Sequence, residues 1–136
     1  YAIAHPELID LMMKAKLTFE PTACAQAAAI AALEDEDFLE KSVDLVKTGR
    51  NKIYEFFDEH SINYVESISN SVMMCLESEA EAAQFTDAML KEGVILRQVG
   101  AFGLPECIRI TIGDEKDMRH FENSFVKVMQ ESLPSV

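Results

Sequence analysis

The segment from Arg97 to Gly113 constrains the fold most, because it combines two strand-like runs with a short loop of glycine and proline. The first run, Val94–Val99, is short, rich in β-branched residues and bounded by glycines, which predicts a β-strand. Gly100 and Gly103 permit positive φ in the loop, and Pro105 fixes the backbone at its exit. The segment therefore predicts strand, tight loop, strand.

The second strand has a strict alternation, so its side chains divide between two faces. One face carries isoleucines only, namely Ile108, Ile110 and Ile112. The other face carries Cys107, Arg109 and Thr111. Arg109 thus lies within the most apolar strand of the chain, and an unpaired buried charge costs several kcal/mol, roughly. We expect the Arg109 guanidinium to be buried and to meet an anion.

Arg97 stands on the other side of the same loop, so two arginines flank it. The planar guanidinium donates two parallel hydrogen bonds, which suits a carboxylate or a phosphate. Two interpretations stay open at this point. The arginines bind an external anion, or each pairs with an Asp or Glu of the chain. The register across the loop cannot be read from the sequence, so it does not say whether the arginines share a face.

The charge balance excludes two classes of partner. The chain of 136 residues has a formal net charge of −12 at pH 7. Nucleic-acid-binding surfaces and anionic membrane patches both need a basic footprint, so neither partner is expected. The hydrophobic fraction of 49% is sufficient for a core of ordinary domain size. An anion site on such an acidic chain has to be built locally.

Metal-binding and secretory patterns are absent from the sequence. The three cysteines, Cys24, Cys75 and Cys107, have no CxxC spacing and form no evident disulfide framework. The histidines are scattered and suggest no ligand pair. No stretch resembles a signal peptide or a spanning helix, so the default expectation is a cytoplasmic protein.

The order of elements predicts an α/β (α+β) fold in which a small, mainly antiparallel sheet is backed by helices in two layers. Three helices come first, and the third is long enough to bridge two subdomains. Strand, strand, helix, strand, strand and helix follow. The predicted segments are a helix starting at Pro6, helices at Thr22–Leu33 and Phe38–Phe57, strands at Ile62–Glu66 and Val72–Leu76, a helix after the Ser78–Glu81 capping box, the 97–113 segment, and a last helix capped by Asp114 with Pro134 beyond its end.

The segment also resembles the C-terminal signature of histidinol-phosphate aminotransferases, which belong to the fold-type I pyridoxal-phosphate superfamily. The shared features are an arginine, a Gly-aromatic-Gly-Leu-Pro loop and the run Ile108–Gly113. The resemblance continues upstream in Tyr1–Ile9 and in the alanine-rich stretch that starts at Ala25. It covers essentially the whole chain.

The resemblance implies a domain organisation. Residues 1–35 would be the tail end of the large cofactor-binding domain. Residues 36–136 would be the C-terminal small domain with its long linking helix. The chain opens at Tyr1 without an initiator methionine, which together with the resemblance leads us to expect a fragment of a longer protein.

The resemblance also implies an enzyme activity for the full-length protein. Members transfer an amino group between histidinol phosphate and 2-oxoglutarate in histidine biosynthesis, use pyridoxal 5'-phosphate and act as homodimers. The family's Schiff-base lysine follows a serine, and no Ser-Lys pair occurs here, so that lysine is expected upstream of Tyr1. We therefore expect no catalytic, cofactor-binding or metal-binding residue in this chain, which should be inactive alone.

What this chain would contribute, by resemblance, is substrate binding. Arg109 would bind the anionic group of the substrate, and Arg97 matches the family's second arginine that binds the same group. Phe102 stands where many members have tyrosine, so it can pack on a substrate but offers no hydroxyl. Asn70 matches an asparagine near the substrate side, although Ser71 follows it where phenylalanine is usual.

Three other functions remain open from the sequence. A related aromatic aminotransferase would share the same signature. A stand-alone regulatory module that binds an amino acid or another anion would keep the arginines but need no upstream lysine. A structural interaction domain would have Arg97 and Arg109 tied to carboxylates of the same chain.

Overall fold

The computed structural model describes residues 1–132, so Pro134 lies outside the described residues. Its elements confirm the predicted order. They are α1 (Pro6–Ala15), α2 (Ala23–Glu34), α3 (Glu36–Glu59), β1 (Asn63–Val65), β2 (Ser71–Cys75), α4 (Glu79–Lys91), β3 (Arg97–Val99), a 3₁₀ turn (Gly100–Phe102), β4 (Leu104–Thr111) and α5 (Glu115–Ser132). Contacts divide the chain into two units, Tyr1–Leu39 and Glu40–Val136.

Side-chain caps begin α2, α3, α4 and α5, and the sequence predicts those of α4 and α5. The Thr22 hydroxyl accepts a hydrogen bond from the Ala25 N–H at 3.2 Å. Ser78 accepts one from the Glu81 N–H at 3.2 Å. Each cap satisfies an N–H group that the helix itself leaves without a partner. Asp114 caps α5 in the same way, since its Oδ1 accepts bonds from two backbone N–H groups at 2.9 Å.

The first unit contains α1 and α2, and its side chains are exposed. Neither helix has a buried residue. Several of the exposed side chains are large and apolar, including Leu11, Met13, Phe19 and Leu33. Isolated helices of this length are marginal in water, so this unit depends on burying that apolar surface.

The second unit is built on a four-stranded sheet with the order β1-β2-β4-β3. Every neighbouring pair is antiparallel, which confirms the prediction of a mainly antiparallel sheet. β2 is an interior strand, as its apolar character on both faces predicts.

One face of this sheet packs on α3, α4 and α5 to form the core. The isoleucine face of β4 is buried there, as the alternation predicts. The helices contribute mainly aromatic and aliphatic side chains, listed together with the strand residues as Ile53, Phe57, Val72, Met74, Ala82, Phe85, Met89, Ile108, Ile110, Ile112, Phe121, Phe125 and Val128. The second unit is therefore a two-layer α/β sandwich.

Gly49 lets α3 approach β4 closely. A Cβ at position 49 would overlap Cγ2 of Ile112, a buried and stiff β-branched side chain. Gly49→Ala should therefore lower the free energy of unfolding by about 1–3 kcal/mol, in spite of the higher helix propensity of alanine. Urea unfolding followed by circular dichroism measures the change. Asn51→Ala on the same helix is the control, because Asn51 is exposed and its replacement should leave stability equal or slightly higher.

Candidate anion-binding site

The pairing of β3 with β4 places Arg97 directly opposite Arg109. Residues that oppose one another in an antiparallel pair point to the same face of the sheet. On the other side of Arg109, β2 places Met73 opposite it. The two arginines are therefore neighbours on one face, which the sequence could not decide.

This face lies opposite the helical layer of the second unit, and we call it the open face. Its residues follow from the register and include Asn63, Val65, Ser71, Met73, Cys75, Arg97, Cys107, Arg109 and Thr111. Arg97, Arg109 and Thr111 are exposed, whereas the residues of the opposite face are buried. The sheet thus has one apolar face and one face that carries polar and sulfur-containing side chains.

The exposure of Arg109 corrects the expectation that its guanidinium is buried. Arg109 is an exposed residue between the buried Ile108 and Ile110. The core helices of the second unit pack on the isoleucine face, and Arg109 on the other face stays exposed. Burial therefore does not force an ion pair here, and the case for an anion has to come from the neighbours of the arginine.

Those neighbours make the arginine pair unusual. Like charges directly opposite on a sheet repel one another. None of the open-face positions in the four strands is an Asp or Glu, since the only acidic residue of these strands, Glu106, lies in phase with the core residues. Among residues 1–132, neither Arg97 nor Arg109 has an ion pair or a side-chain hydrogen bond to the protein.

The other two arginines of the chain are tied to the protein itself. Arg50 donates a hydrogen bond from Nη1 to the Ser69 carbonyl oxygen at 2.8 Å. Arg119 forms an ion pair with Glu115 at 3.2 Å on α5. The described residues therefore divide the arginines into two that stabilise the fold and two that present their guanidinium groups on the open face.

The loop between the two arginines is compact. Gly100–Phe102 forms one 3₁₀ turn, and the Gly103 N–H donates to the Gly100 carbonyl oxygen at 2.9 Å. Gly103 has φ 82°, which a residue with a side chain adopts only with strain. The register between β3 and β4 shifts between Gln98 and Val99. As a result, Val99, two residues after Arg97, pairs with Leu104. Phe102 lies in this turn and is 68% exposed.

Asn70 lies at the entry to β2 and is exposed. Its carbonyl oxygen accepts a hydrogen bond from the Ile112 N–H at 2.9 Å, which extends the ladder between β2 and β4 by one pair. Asn70 therefore lies on the same side of β2 as Val72. Met73, the residue opposite Arg109, lies on the other side. The register does not place Asn70 in the row of the two arginines, and the roles of Asn70 and Phe102 stay predictions.

Sequence reasoning did not identify Met73 as a neighbour of the arginines, because the run Val72–Leu76 is apolar on both faces and does not show which methionine faces the helices. Met73 is only partly buried and lies on the open face, whereas Met74 is fully buried on the other face. The register with β4 separates the two. A methionine beside two arginines gives the site an apolar wall that adapts to a ligand.

Every lysine of the chain is exposed. No group of three or more metal-binding side chains occurs in residues 1–132. No helix among the same residues is long and apolar enough to cross a membrane.

Comparison with known proteins gives a consistent result along the chain. The family model for aminotransferase class I and II matches residues 1–125. Histidinol-phosphate aminotransferase 1 of Cupriavidus pinatubonensis is 40% identical over 114 residues, which cover 83% of this chain and 30% of that protein. The histidinol-phosphate aminotransferase of Methylobacillus flagellatus is 34% identical over 134 residues, which cover 98% of this chain and 34% of that protein. The chain thus spans about a third of the length of the curated relatives it matches.

A solved structure has the same fold. The crystal structure of histidinol-phosphate aminotransferase from Sinorhizobium meliloti in complex with pyridoxal-5'-phosphate superimposes with a TM-score of 0.87 at 23% sequence identity. The similarity covers 96% of this chain and 36% of that one. The helices and the antiparallel sheet described above are therefore a known arrangement.

Proposed function

Because the chain belongs to the aminotransferase class I and II family, we propose that it forms the C-terminal part of a pyridoxal-phosphate-dependent aminotransferase that acts on histidinol phosphate. The names of the relatives support histidinol phosphate as the amino donor, and the resemblance of the sequence signature to that family suggests 2-oxoglutarate as the acceptor. The complete enzyme acts as a homodimer. Within it, this chain selects the substrate.

The observation that carries the proposal is the pair of arginines on the open face. Arg97 and Arg109 stand directly opposite one another, and no acidic side chain of the strands neutralises them. An anion that binds between them gains charge-assisted hydrogen bonds and relieves the repulsion of the two cations. On a chain with a net charge of −12, such a positive site has to be built locally, as this pair of arginines is.

Both substrates carry an anionic group that this site can bind. Histidinol phosphate carries a phosphate, and 2-oxoglutarate carries two carboxylates. Both groups accept two parallel hydrogen bonds from a guanidinium. We assign the main contact to Arg109, because it lies on an interior strand and is held by pairing on both sides. Arg97 lies on the edge strand β3 and supplies the second contact.

Phe102 and Met73 give the site its apolar part. Phe102 lies in the turn that joins the two arginine strands, and Met73 lies beside Arg109. A phenyl ring packs on the carbon skeleton of a substrate without donating a hydrogen bond. The substrate is therefore oriented by its anionic end and held along its length by apolar contact.

The cofactor supplies the electron sink that lets the amino group move. We assign the covalent step to the part of the enzyme that precedes this chain. The arginines of this chain bind and orient the anionic group of the substrate. Because this contact is made away from the reacting amine, its binding energy serves to fix the position of that amine.

Expression of the whole reading frame tests the proposal. The purified protein should show the absorbance of bound pyridoxal phosphate and should convert histidinol phosphate with 2-oxoglutarate. Aromatic amino acids offered as donors separate this activity from that of an aromatic aminotransferase. A protein without bound cofactor, or one that uses only aromatic donors, would rule out the proposed function.

The exposed arginine pair also favours a second candidate, a module that binds a small anion without catalysis. Such a module would bind inorganic phosphate or an amino acid with this chain alone. Calorimetric titration of the isolated chain with both ligands distinguishes the candidates. Tight binding by the isolated chain, together with inactivity of the whole reading frame, would favour the module.

A further inference from the structure

Two cysteines lie side by side on the open face. The pairing of β2 with β4 places Cys75 directly opposite Cys107. Their sulfur atoms are 3.1 Å apart, although 32 positions separate them in the sequence. Neither the anion site nor the core requires two thiols at these positions, so their juxtaposition calls for its own explanation.

The backbone ladder shows that the geometry suits a covalent link. The Leu76 N–H donates to the Glu106 carbonyl oxygen at 3.1 Å, so the pair next to the cysteines is a hydrogen-bonded one. Hydrogen-bonded and non-hydrogen-bonded pairs alternate along antiparallel strands, so Cys75 and Cys107 form a non-hydrogen-bonded pair. In such pairs the Cα atoms are about 4.5 Å apart, which lies within the range that a disulfide spans.

We propose that Cys75 and Cys107 form a site of reversible oxidation, at which a peroxide converts the two thiols into a cross-strand disulfide next to the arginine pair. This inference stands on the geometry of the two cysteines and does not depend on the proposed enzymatic function. The oxidant class is hydrogen peroxide, which takes up the two electrons that the sulfur atoms lose.

The reaction balances in two steps. The Cys75 sulfur attacks one oxygen of hydrogen peroxide, the O–O bond breaks, and one water leaves with the thiol proton, which gives a sulfenic acid. The Cys107 sulfur then attacks the Cys75 sulfur, the S–O bond breaks, and the hydroxyl leaves as a second water with the proton of Cys107. Two thiols and one peroxide thus yield one disulfide and two waters.

Burial assigns the order of the two cysteines. Cys75 is partly exposed, whereas Cys107 is 2% exposed. Burial, together with the contact with Cys75, raises the pKa of the Cys107 thiol to about 12. Cys107 therefore stays protonated and protected, so Cys75 meets the oxidant first. The short distance between the sulfur atoms then lets Cys107 act as the resolving thiol in spite of its high pKa.

The disulfide would join the two interior strands of the sheet, and it would do so two residues from Arg109 on the same face. A link across a loop of this length restricts the unfolded chain, so oxidation should raise the melting temperature by about 5–10 °C. Reduction by a dithiol should return the melting temperature to its starting value.

Mass spectrometry of the protein expressed from its whole reading frame tests the proposal. After treatment with equimolar hydrogen peroxide, non-reducing digestion should give a peptide that joins Cys75 to Cys107, and dithiothreitol should remove it. Cys75→Ser and Cys107→Ser should each abolish this peptide. Cys24→Ser is the matched control and should leave it unchanged, because Cys24 is exposed and distant in sequence.

The wild-type protein alone also decides the question, in case a variant folds poorly. Differential alkylation before and after peroxide, followed by peptide mass spectrometry, reports each of these thiols. Cys75 and Cys107 should be lost together, Cys24 should be retained, and no disulfide should join two molecules. Loss of Cys24 alone, a disulfide between two molecules, or a sulfinic acid at Cys75 without a crosslink would overturn the proposal. So would thiols that all survive the treatment.

Discussion

Arg109→Ala is expected to lower kcat/KM for histidinol phosphate by about 100-fold or more, a loss of roughly 3 kcal/mol, the upper end of what a hydrogen bond to a charged group contributes. The reason is the position of Arg109 on an interior strand, opposite a second arginine and without an acidic partner on the open face. Removal of its guanidinium leaves the anionic end of the substrate with Arg97 alone. Steady-state kinetics of the whole enzyme measure the change.

Arg119→Ala is the matched control for this experiment. It removes the same charge from an exposed position, where the arginine is paired with Glu115 on the surface of α5. Surface ion pairs of this kind contribute about 0–1 kcal/mol to stability, so this variant should keep its activity. Equal losses of kcat/KM in the two variants would show that overall charge matters and that Arg109 has no specific role.

Phe125→Ala is expected to cause the largest loss of stability, about 3–5 kcal/mol. Phe125 is fully buried and lies at the centre of an aromatic cluster, with ring centroids 5.2 Å from both Phe56 and Phe85. Alanine would leave a cavity that three helices border, and rigid aromatic neighbours do not collapse into such a space. The loss is a large part of the 5–15 kcal/mol, roughly, that stabilises a typical domain.

Chemical denaturation of the whole enzyme, followed by far-UV circular dichroism, measures this effect. Phe125→Leu serves as the comparison, because leucine fills most of the cavity and should cost less than half as much. Two outcomes would contradict a large contribution of Phe125 to stability. They are the same free energy of unfolding for the alanine and leucine variants, or a loss under about 1 kcal/mol for alanine.

The sequence predicts the elements of this fold well because their signals are local. Ser78 and Asp114 cap helices with the hydrogen bonds that their sequence positions predict. The alternation of Ile108, Ile110 and Ile112 identifies the buried face of β4. In each case residues within one turn or one strand decide the outcome.

The candidate site depends on longer-range information. The 3₁₀ turn and the register shift after Gln98 decide which residue of β3 faces Arg109, and a shift by one residue would move Arg97 to the other face. The exposure of Arg109 depends on which side of the sheet the helices cover. The contact between Cys75 and Cys107 results from a strand pairing across 32 positions. Local patterns carry none of this information.

A comparison of histidinol phosphate with histidinol tests the central claim most directly, because the two amino donors differ only in the phosphate. The enzyme with both arginines should prefer the phosphorylated donor strongly in kcat/KM. In Arg109→Ala the preference should fall by about 100-fold, with most of the loss on histidinol phosphate and little on histidinol. If both donors lose activity by the same factor, Arg109 does not bind the phosphate, and the arginine pair on the open face is not the anion-binding site.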